Sequence, residues 1–309
     1  MIHSEDIEKT VYDLIVQSAC ILPDNIRKAL EKAYQEETAP LAKLHLETTV
    51  KHMNLSRDHM IQLCGDTGYP VFYVRAGERI FIEGGIPALE RAISAAVKQA
   101  TEDAWLRPTV VDPLTRDNPG TNLGHHMPYI EYKFSEDLDF MEITAAPKGG
   151  GTEIFGPSFR VLLHADGLLG VKRFVIDSMV QVSRTGSVCP PNIVGVGIGG
   201  TADLCMKLAK QAAVLRPVGS RHPEDRIARL EEELLEALNA TGIGPLAAGG
   251  KTTALDVHIE YALGHLAGFP AAICVQCPAA RVATVRLHED GTVHKMAWPQ
   301  WFGQERETI

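Results

Sequence analysis

The segment QLCGDTGYPVFYV places a thiol and a carboxyl group close together in a glycine-rich turn. Cys64 and Asp66 flank Gly65, and Thr67 and Gly68 lead from there into an apolar stretch. A thiolate is a soft metal ligand, whereas a carboxyl group can carry a proton in a reaction. The pairing predicts either a site that uses both groups or an Asp66 that only caps the turn through its side chain.

The other cysteines fall into two groups by their surroundings. Six cysteines in 309 residues do not indicate a disulfide framework, which is typical of small secreted domains. Like Cys64, both Cys189 and Cys277 lie beside glycine or proline at the border of an apolar run, a context that suits ligands of a buried metal cluster. Cys20 and Cys205 lie in apolar segments of helical character, and we expect them to be small core residues.

Two other motifs suggest chemistry that their surroundings do not support. Gly195, Gly197 and Gly200 satisfy the G-x-G-x-x-G pattern of dinucleotide sites. However, two prolines crowd the start of the preceding strand, and no second strand ends in an acidic residue about 20 positions on. The CVQC segment does not follow the strand–helix pattern of a thioredoxin-like redox motif. We therefore expect neither nucleotide binding nor dithiol redox chemistry.

Composition narrows the possible partners. The chain is 45% hydrophobic and 22% charged, an ordinary balance for a globular protein, and its net charge is −9. It has no polybasic stripe with interleaved aromatic residues, so we do not expect nucleic acid binding. No apolar run approaches the roughly 20 residues of a membrane helix, and the charged N-terminus does not resemble a secretory signal. The sequence predicts a cytoplasmic protein without a membrane partner.

Hydrophobic periodicity predicts the elements that must position these residues. Helices are predicted within Ser4–Met60 and over 86–105, 201–215 and Pro223–Ala240. Strands are predicted at Val71–Val74, 129–134 and 141–147, with a hairpin turned by Asp290 and Gly291 near the C-terminus. Residues 106–128 are predicted to form a long structured loop. The predicted fold class is α+β, as a single mixed domain over residues 1–309.

Seven segments, taken together, resemble one protein family. In chain order they are CGDTG, LRPTVVDPLTRDNPGTNL, KGGG, CPPNIVGVGIGGTAD, LRPVGSRHP, ALDVHIE and GHLAGFPAAICVQC, between about residue 62 and residue 285. The set resembles the α subunit of the class I iron–sulfur hydro-lyases, meaning the class I fumarate hydratases and L(+)-tartrate dehydratases. Each glycine motif alone is weak evidence, but the ordered combination is highly specific.

The resemblance implies a [4Fe-4S] cluster at the centre of the α+β domain, held by the thiolates of Cys64, Cys189 and Cys277. Three ligands leave one iron open as a Lewis acid for a substrate hydroxyl and carboxylate. Water would then be added or removed across a C=C bond of a small hydroxy-dicarboxylic acid. We expect the three thiols to converge on one site, with Cys274 as a structural neighbour.

The resemblance also implies roles for individual residues. Catalytic roles are implied for Asp66, Arg107, Lys148 and His265. Substrate-binding roles are implied for Asp66, Thr67, Arg107, Gly149, Gly150 and Gly151. Arg107 suits a carboxylate clamp because its guanidinium is a planar fork of donors, although it could be a plain surface arginine before proline. His265 matches a histidine near the active-site entrance, and its alternative is a helix-end histidine bonded to carbonyl groups.

Two departures from the family pattern leave the substrate open. Gly65 stands where the family usually has glutamine, and Lys148 is present although tartrate dehydratases often lack that lysine. The resemblance therefore does not decide which hydroxy acid is used.

The resemblance also implies a partner. In the family, a second unit supplies the catalytic base, expected to be a threonine. Because this chain ends at Ile309, with no room for that unit, we expect it to need a β subunit and to form a homodimer of α chains. The alternative is a non-enzymatic or zinc-binding relative in which the thiols are structural.

Overall fold

The computed structural model of the protein describes residues 1–136 and 138–302. Its α-helices are α1 (Ser4–Cys20), α2 (Asp24–Glu36), α3 (Pro40–His59), α4 (Gly85–Glu102), α5 (Gly150–Ile154), α6 (Gly167–Ser183), α7 (Ala202–Leu215) and α8 (Asp225–Ala240). Its strands are β1 (Val71–Gly77), β2 (Tyr129–Ser135), β3 (Phe140–Ala145), β4 (Ser158–Leu162), β5 (Asn192–Gly199), β6 (Ala254–Ala262), β7 (Phe269–Gln276), β8 (Ala283–His288) and β9 (Val293–Met296). Among the described residues, no helix has both the length and the apolar composition needed to cross a bilayer.

The chain packs as two compact units, each assembled from separate segments. Unit 1 contains Met1–Pro23, Met53–Gly149 and the residues from Arg281 onward, and unit 2 contains Asp24–His52 and Gly150–Ala280. The predicted α+β class is confirmed, because both units combine helices with a mixed sheet. The extent of one domain over residues 1–309 stays a prediction, and residues 303–309 lie outside the described part.

Unit 1 is a five-stranded sheet packed against α1 and α4. The strand order is β2-β1-β3-β8-β9, with β1 and β2 parallel and the other neighbours antiparallel. The predicted apolar face of the first helix is confirmed, since Ile7, Val11 and Leu14 are all buried in the core. The predicted hairpin is also confirmed: Asp290 and Gly291 lie in the turn between β8 and β9.

Unit 2 is a four-stranded sheet in the order β4-β7-β5-β6, with helices on both faces. Apolar residues of α6 and α8 share one core cluster with Val194 and Val196 of β5. The alternate positions of β5 face α7, because side chains alternate across a strand. An added Cβ on Gly195 or Gly197 would lie 2.1 Å from Ala209 O or 1.9 Å from Cys205 O, respectively. These glycines of the G-x-G-x-x-G pattern therefore allow α7 to pack directly on β5.

Strand β6 carries buried polar side chains that form ion pairs between two of the seven family-like segments. Asp256, His258 and Glu260 alternate along β6 and are all buried. Arg216 Nη1 lies 3.0 Å from Glu260 Oε1, and Arg221 Nη1 lies 2.8 Å from Asp256 Oδ1. The LRPVGSRHP and ALDVHIE segments thus meet in ion pairs inside unit 2. Buried charges are normally retained only when paired in this way.

Candidate functional site

The CGDTG segment forms a turn in unit 1 between α3 and β1. Cys64 and Gly65 are exposed, while Asp66 is half-buried. The backbone N–H of Gly68 donates a hydrogen bond to Asp66 Oδ1 at 3.0 Å. Asp66 therefore does cap the turn, as its alternative interpretation expects. The same bond holds the carboxyl group in one orientation beside the exposed thiol-bearing residue.

The two glycines that flank Asp66 have different environments. Gly68 has a φ of 84°, and an added Cβ would lie 2.3 Å from Lys148 O. Both facts require glycine at that position. Gly65 has no positive φ, and an added Cβ would meet none of the described atoms within 4 Å. The turn therefore leaves room for a side chain at residue 65.

Lys148 and Arg281 lie against this turn. The backbone of Lys148 exchanges two hydrogen bonds with that of Tyr69, at 2.8 and 2.9 Å, and the Lys148 side chain is buried. Arg281 is 2% exposed and donates from Nη1 to Asp66 O at 2.8 Å and from Nε to Pro147 O at 3.2 Å. Sequence analysis did not identify Arg281, whose only signal was its place soon after the CVQC cysteines.

The loop that carries Arg107 is fixed to the turn through buried polar groups. The backbone N–H of Arg107 donates to Thr67 Oγ1 at 2.8 Å, and Thr67 is 4% exposed. Asn122 is fully buried and donates from Nδ2 to Arg107 O at 3.0 Å. Its Oδ1 accepts from the backbone of Thr109 at 2.8 Å. Arg107 itself is exposed, on a loop whose backbone is held at this point by the hydrogen bonds to Thr67 and Asn122.

The remaining residues of the NPGTN segment shape the outer part of that loop. Asn118 Nδ2 donates to Pro108 O at 2.9 Å, and its Oδ1 accepts from the backbone of Gly120 at 2.8 Å. Gly120 has a φ of 75°, which favours glycine. Both residues are exposed.

In unit 2, Cys189 and Cys277 lie at the same end of two paired strands. Cys189 precedes β5 and Cys277 follows β7, and Ile193 is paired with Gln276 in the antiparallel register. Cys189 is exposed, with a left-handed φ of 51°, and Cys277 is half-buried. The structure therefore brings these two cysteine segments together.

Asn192 fastens the two cysteine segments to each other. It is fully buried, and its Nδ2 donates to Val188 O at 2.8 Å and to Gln276 O at 3.2 Å. Val188 directly precedes Cys189, and Gln276 directly precedes Cys277. Sequence analysis missed this role, although a polar residue at the head of an apolar strand was a visible signal.

The Gly149–Gly151 segment contains one of the two points at which the chain passes from unit 1 into unit 2. Gly149 is buried, and Gly150 begins α5. An added Cβ on Gly151 would lie 2.8 Å from Ser187 O. Gly151 thus permits a close approach to the segment that precedes Cys189.

His265 lies in an exposed turn after β6, and the alternative of a helix-end histidine is wrong. Its Nδ1 accepts a hydrogen bond from the backbone N–H of Ala267 at 3.1 Å. The flanking Leu263 and Leu266 are 92% and 91% exposed. The residue is therefore presented at the tip of a protruding loop.

The six cysteines form no disulfide and fall into a buried group of three and a more exposed group of three. Cys20, Cys205 and Cys274 are buried, which confirms that the first two are core residues. Burial raises the pKa of the Cys20 thiol and raises the pKa of the Cys205 thiol to about 12. Metal ligation needs the thiolate, so these two thiols are poor ligands.

The donor set outside the core fits an iron–sulfur cluster in its chemistry. Cys64, Cys189 and Cys277 are the cysteines outside the buried core, and each lies in a connecting segment outside the helices and strands. Within the described residues, no group of three His, Cys, Asp or Glu side chains is placed to hold a metal ion. Cys64 belongs to unit 1 and the other two cysteines to unit 2, and their convergence on one site stays a prediction.

Comparison with known proteins gives consistent matches over most of the chain. The family described as fumarate hydratase (Fumerase) matches residues 8–286. A Methanocaldococcus jannaschii protein named "Putative L(+)-tartrate dehydratase subunit alpha" is 42% identical over 285 residues, which is 92% of this chain and 98% of that protein. The "L(+)-tartrate dehydratase subunit alpha" of Escherichia coli strain UTI89 is 34% identical over 276 residues, 89% of each chain.

Proposed function

The chain belongs to the fumarate hydratase (Fumerase) family, and from this premise we propose that it is the α subunit of a [4Fe-4S]-dependent hydro-lyase. Its reaction would be the reversible loss of water from a small hydroxy-dicarboxylic acid. The observation that carries the proposal is the division of the cysteines: the three at the family motif positions are the three outside the core. The resemblance that the motifs indicated is confirmed at the level of the family.

The cluster would be held by the thiolates of Cys64, Cys189 and Cys277. When bound, such a cluster supplies one iron without a protein ligand, a Lewis acid for the departing hydroxyl group. Elimination forms a C=C bond, while a proton leaves one carbon and hydroxide leaves its neighbour, so that water is released without net redox change. The buried Cys274 would have a packing role beside the ligand Cys277.

The residues of unit 1 would bind and orient the substrate. Asp66, held by the Gly68 N–H, would place its carboxyl group next to the departing hydroxyl group and donate a proton to it, so that it leaves as water. Arg107 would bind a substrate carboxylate with its exposed guanidinium, on a loop whose base is fixed by Thr67 and Asn122. Lys148 would add positive charge near the dianion from its buried position.

For the substrate, we favour a hydroxylated relative of malate such as L(+)-tartrate. The space at Gly65 can hold an additional hydroxyl group or an ordered water, and the M. jannaschii and E. coli relatives are named as tartrate dehydratases. Loss of water from a dihydroxy diacid yields an enol, which becomes the corresponding keto diacid. His265, on its protruding loop, would lie near the entrance for this substrate.

A β subunit would complete the enzyme by supplying the base that removes the carbon-bound proton. The E. coli and M. jannaschii relatives are both named as subunit alpha, which supports a partner for this chain. We further propose a homodimer of α chains and a cytoplasmic location.

Metal analysis after anaerobic purification tests the cluster. The wild-type chain should be brown, absorb broadly in the visible and contain several irons per chain. Cys189→Ser should lose most of this iron, whereas Cys205→Ser, which alters a buried core thiol in the same unit, should retain it. A colourless anaerobic protein with one zinc per chain would contradict the proposal and support the zinc-binding alternative.

A further inference from the structure

Arg281 is a buried cation whose hydrogen bonds go to backbone carbonyls of two different loops. Only 2% of the residue is exposed. Nη1 donates to Asp66 O at 2.8 Å in the CGDTG turn, and Nε donates to Pro147 O at 3.2 Å, directly before the KGGG segment. A buried guanidinium is costly unless its donors are used, so these bonds are part of a specific arrangement.

The two loops that Arg281 joins carry proposed substrate-facing residues. One of its acceptors is the carbonyl of Asp66 itself, and the other belongs to the residue before Lys148. The loops also touch through the backbone bonds between Tyr69 and Lys148. Arg281 adds hydrogen bonds from a charged side chain to this backbone contact: it binds the backbone carbonyl of Asp66, while the Gly68 N–H binds the Asp66 side chain.

We propose that Arg281 is the positioning residue that holds Asp66 at a fixed place relative to Lys148. This inference rests on the proposed function, because it treats both residues as substrate-facing. Arginine suits the task since its planar fork of donors reaches two carbonyls at once in a fixed geometry. Lysine keeps the charge but presents one rotatable ammonium, and glutamine loses the charge and most of the reach.

Hydrogen exchange on the purified chain tests the tie without any substrate. Arg281→Lys and Arg281→Gln should each speed exchange at residues 64–69 and 146–149 by at least tenfold, with the rest of unit 1 unchanged. Arg286→Gln is the matched control, because Arg286 lies on β8 in the same unit and binds the Glu142 carboxylate and the Phe140 ring of β3. Unchanged exchange in both Arg281 variants would overturn the proposal.

Kinetics of the αβ complex test the positioning role through a double-mutant comparison. We expect Arg281→Lys to lower kcat roughly a hundredfold, because small misplacements of catalytic groups carry penalties of that size. If Arg281 acts through Asp66, the pair Arg281→Lys with Asp66→Asn should have nearly the same kcat as Asp66→Asn alone. A purely structural role predicts that the two losses multiply, which would overturn the proposal.

The two tests fail in distinguishable ways. An inactive wild-type complex would count against the proposed function, while the exchange data would still decide whether Arg281 fixes the turn. If Arg281→Gln does not fold, Arg281→Lys carries both tests, since it retains the buried charge.

Discussion

The two glycines on either side of Asp66 differ in whether the backbone requires glycine at their position. Gly68 is imposed by the backbone, because its φ is positive and Lys148 O occupies the place of a Cβ. Gly65 has neither constraint, so the fold does not explain it. A residue that the fold permits but does not require, next to Asp66, is a candidate for setting substrate preference.

Replacing Gly65 with glutamine tests this interpretation. Because an added Cβ meets no described atom within 4 Å and residue 65 is exposed, we expect Gly65→Gln to leave the unfolding free energy within about 0.5 kcal/mol of wild type. The amide would take up the space available for an extra substrate hydroxyl and offer a polar partner to a plain diacid. A gained or lost polar contact of this kind is worth on the order of 1–3 kcal/mol, so the ratio of kcat/KM for tartrate over malate should fall roughly fivefold or more.

The measurement is a comparison of kcat/KM for malate, tartrate and methyl-substituted malates on the αβ complex. Wild type should prefer a substituted or hydroxylated substrate. A clear wild-type preference for unsubstituted malate, left unchanged or weakened by Gly65→Gln, would show that the gap at residue 65 does not set specificity.

At the same scale, sequence patterns pointed to candidate site residues but missed the side chains that hold the backbone in place. Asp66, Arg107 and the three accessible cysteines stand out by residue type beside glycine or proline. Arg281 and Asn192 bind carbonyl groups of segments distant in sequence, and such partners leave no local signature. Their roles become visible only when the strands are paired.

At the scale of elements, the antiparallel pairing of β5 with β7 determines where two of the cysteines lie. The strand register fixes Cys189 and Cys277 at one sheet end, and the buried amide of Asn192 crosses between their segments. The backbone hydrogen bonds between the two strands end where the strands end. The Asn192 amide adds hydrogen bonds beyond that point, to the carbonyl groups directly before each cysteine. The arrangement gives both thiols a defined backbone position before any metal binds.

Removing that amide should affect stability and metal content together. Asn192→Ala leaves Val188 O and Gln276 O without their donor, which should lower the unfolding free energy by about 1–3 kcal/mol. Iron per chain after anaerobic purification should fall at least by half. Asn239→Ala is the control, since it removes two backbone contacts in the same unit, to Thr253 and Ala254. Equal iron loss in both variants would indicate general destabilisation and contradict a specific role for Asn192.

Sequence periodicity predicted the elements that have one apolar face and failed where polar residues are buried. The N-terminal helices, α4 and α8 follow simple amphipathic patterns, and the structure confirms them. Strand β6 was not predicted, although Asp256, His258 and Glu260 alternate with apolar residues at the period of a strand, and their burial has no signal in the sequence. In the structure all three are buried, and the buried Arg216 and the partly exposed Arg221 pair with two of them. Strand β4 was missed as well, and its five residues lie at a sheet edge with little burial.

At the scale of the whole molecule, the proposed site residues of the described chain suit substrate binding better than removal of a carbon-bound proton. Asp66 is committed to its turn through the Gly68 N–H, Arg107 is a cation, and Lys148 is buried. His265 lies on an exposed loop between two leucines that are almost fully exposed. These features support the proposal that the proton acceptor belongs to a β subunit.

This division of labour predicts that metal loading and turnover can be separated. The chain purified alone under anaerobic conditions should contain iron but show no turnover of tartrate, malate or fumarate, because the base is absent. Addition of the β subunit from its own organism should restore activity, and light scattering should report a homodimer of the chain before addition. Cys189→Ser should still bind the β subunit yet remain inactive, since the substitution affects the metal site. Full hydratase activity from the purified chain alone would contradict the requirement for a partner, and would place the base among residues of this chain.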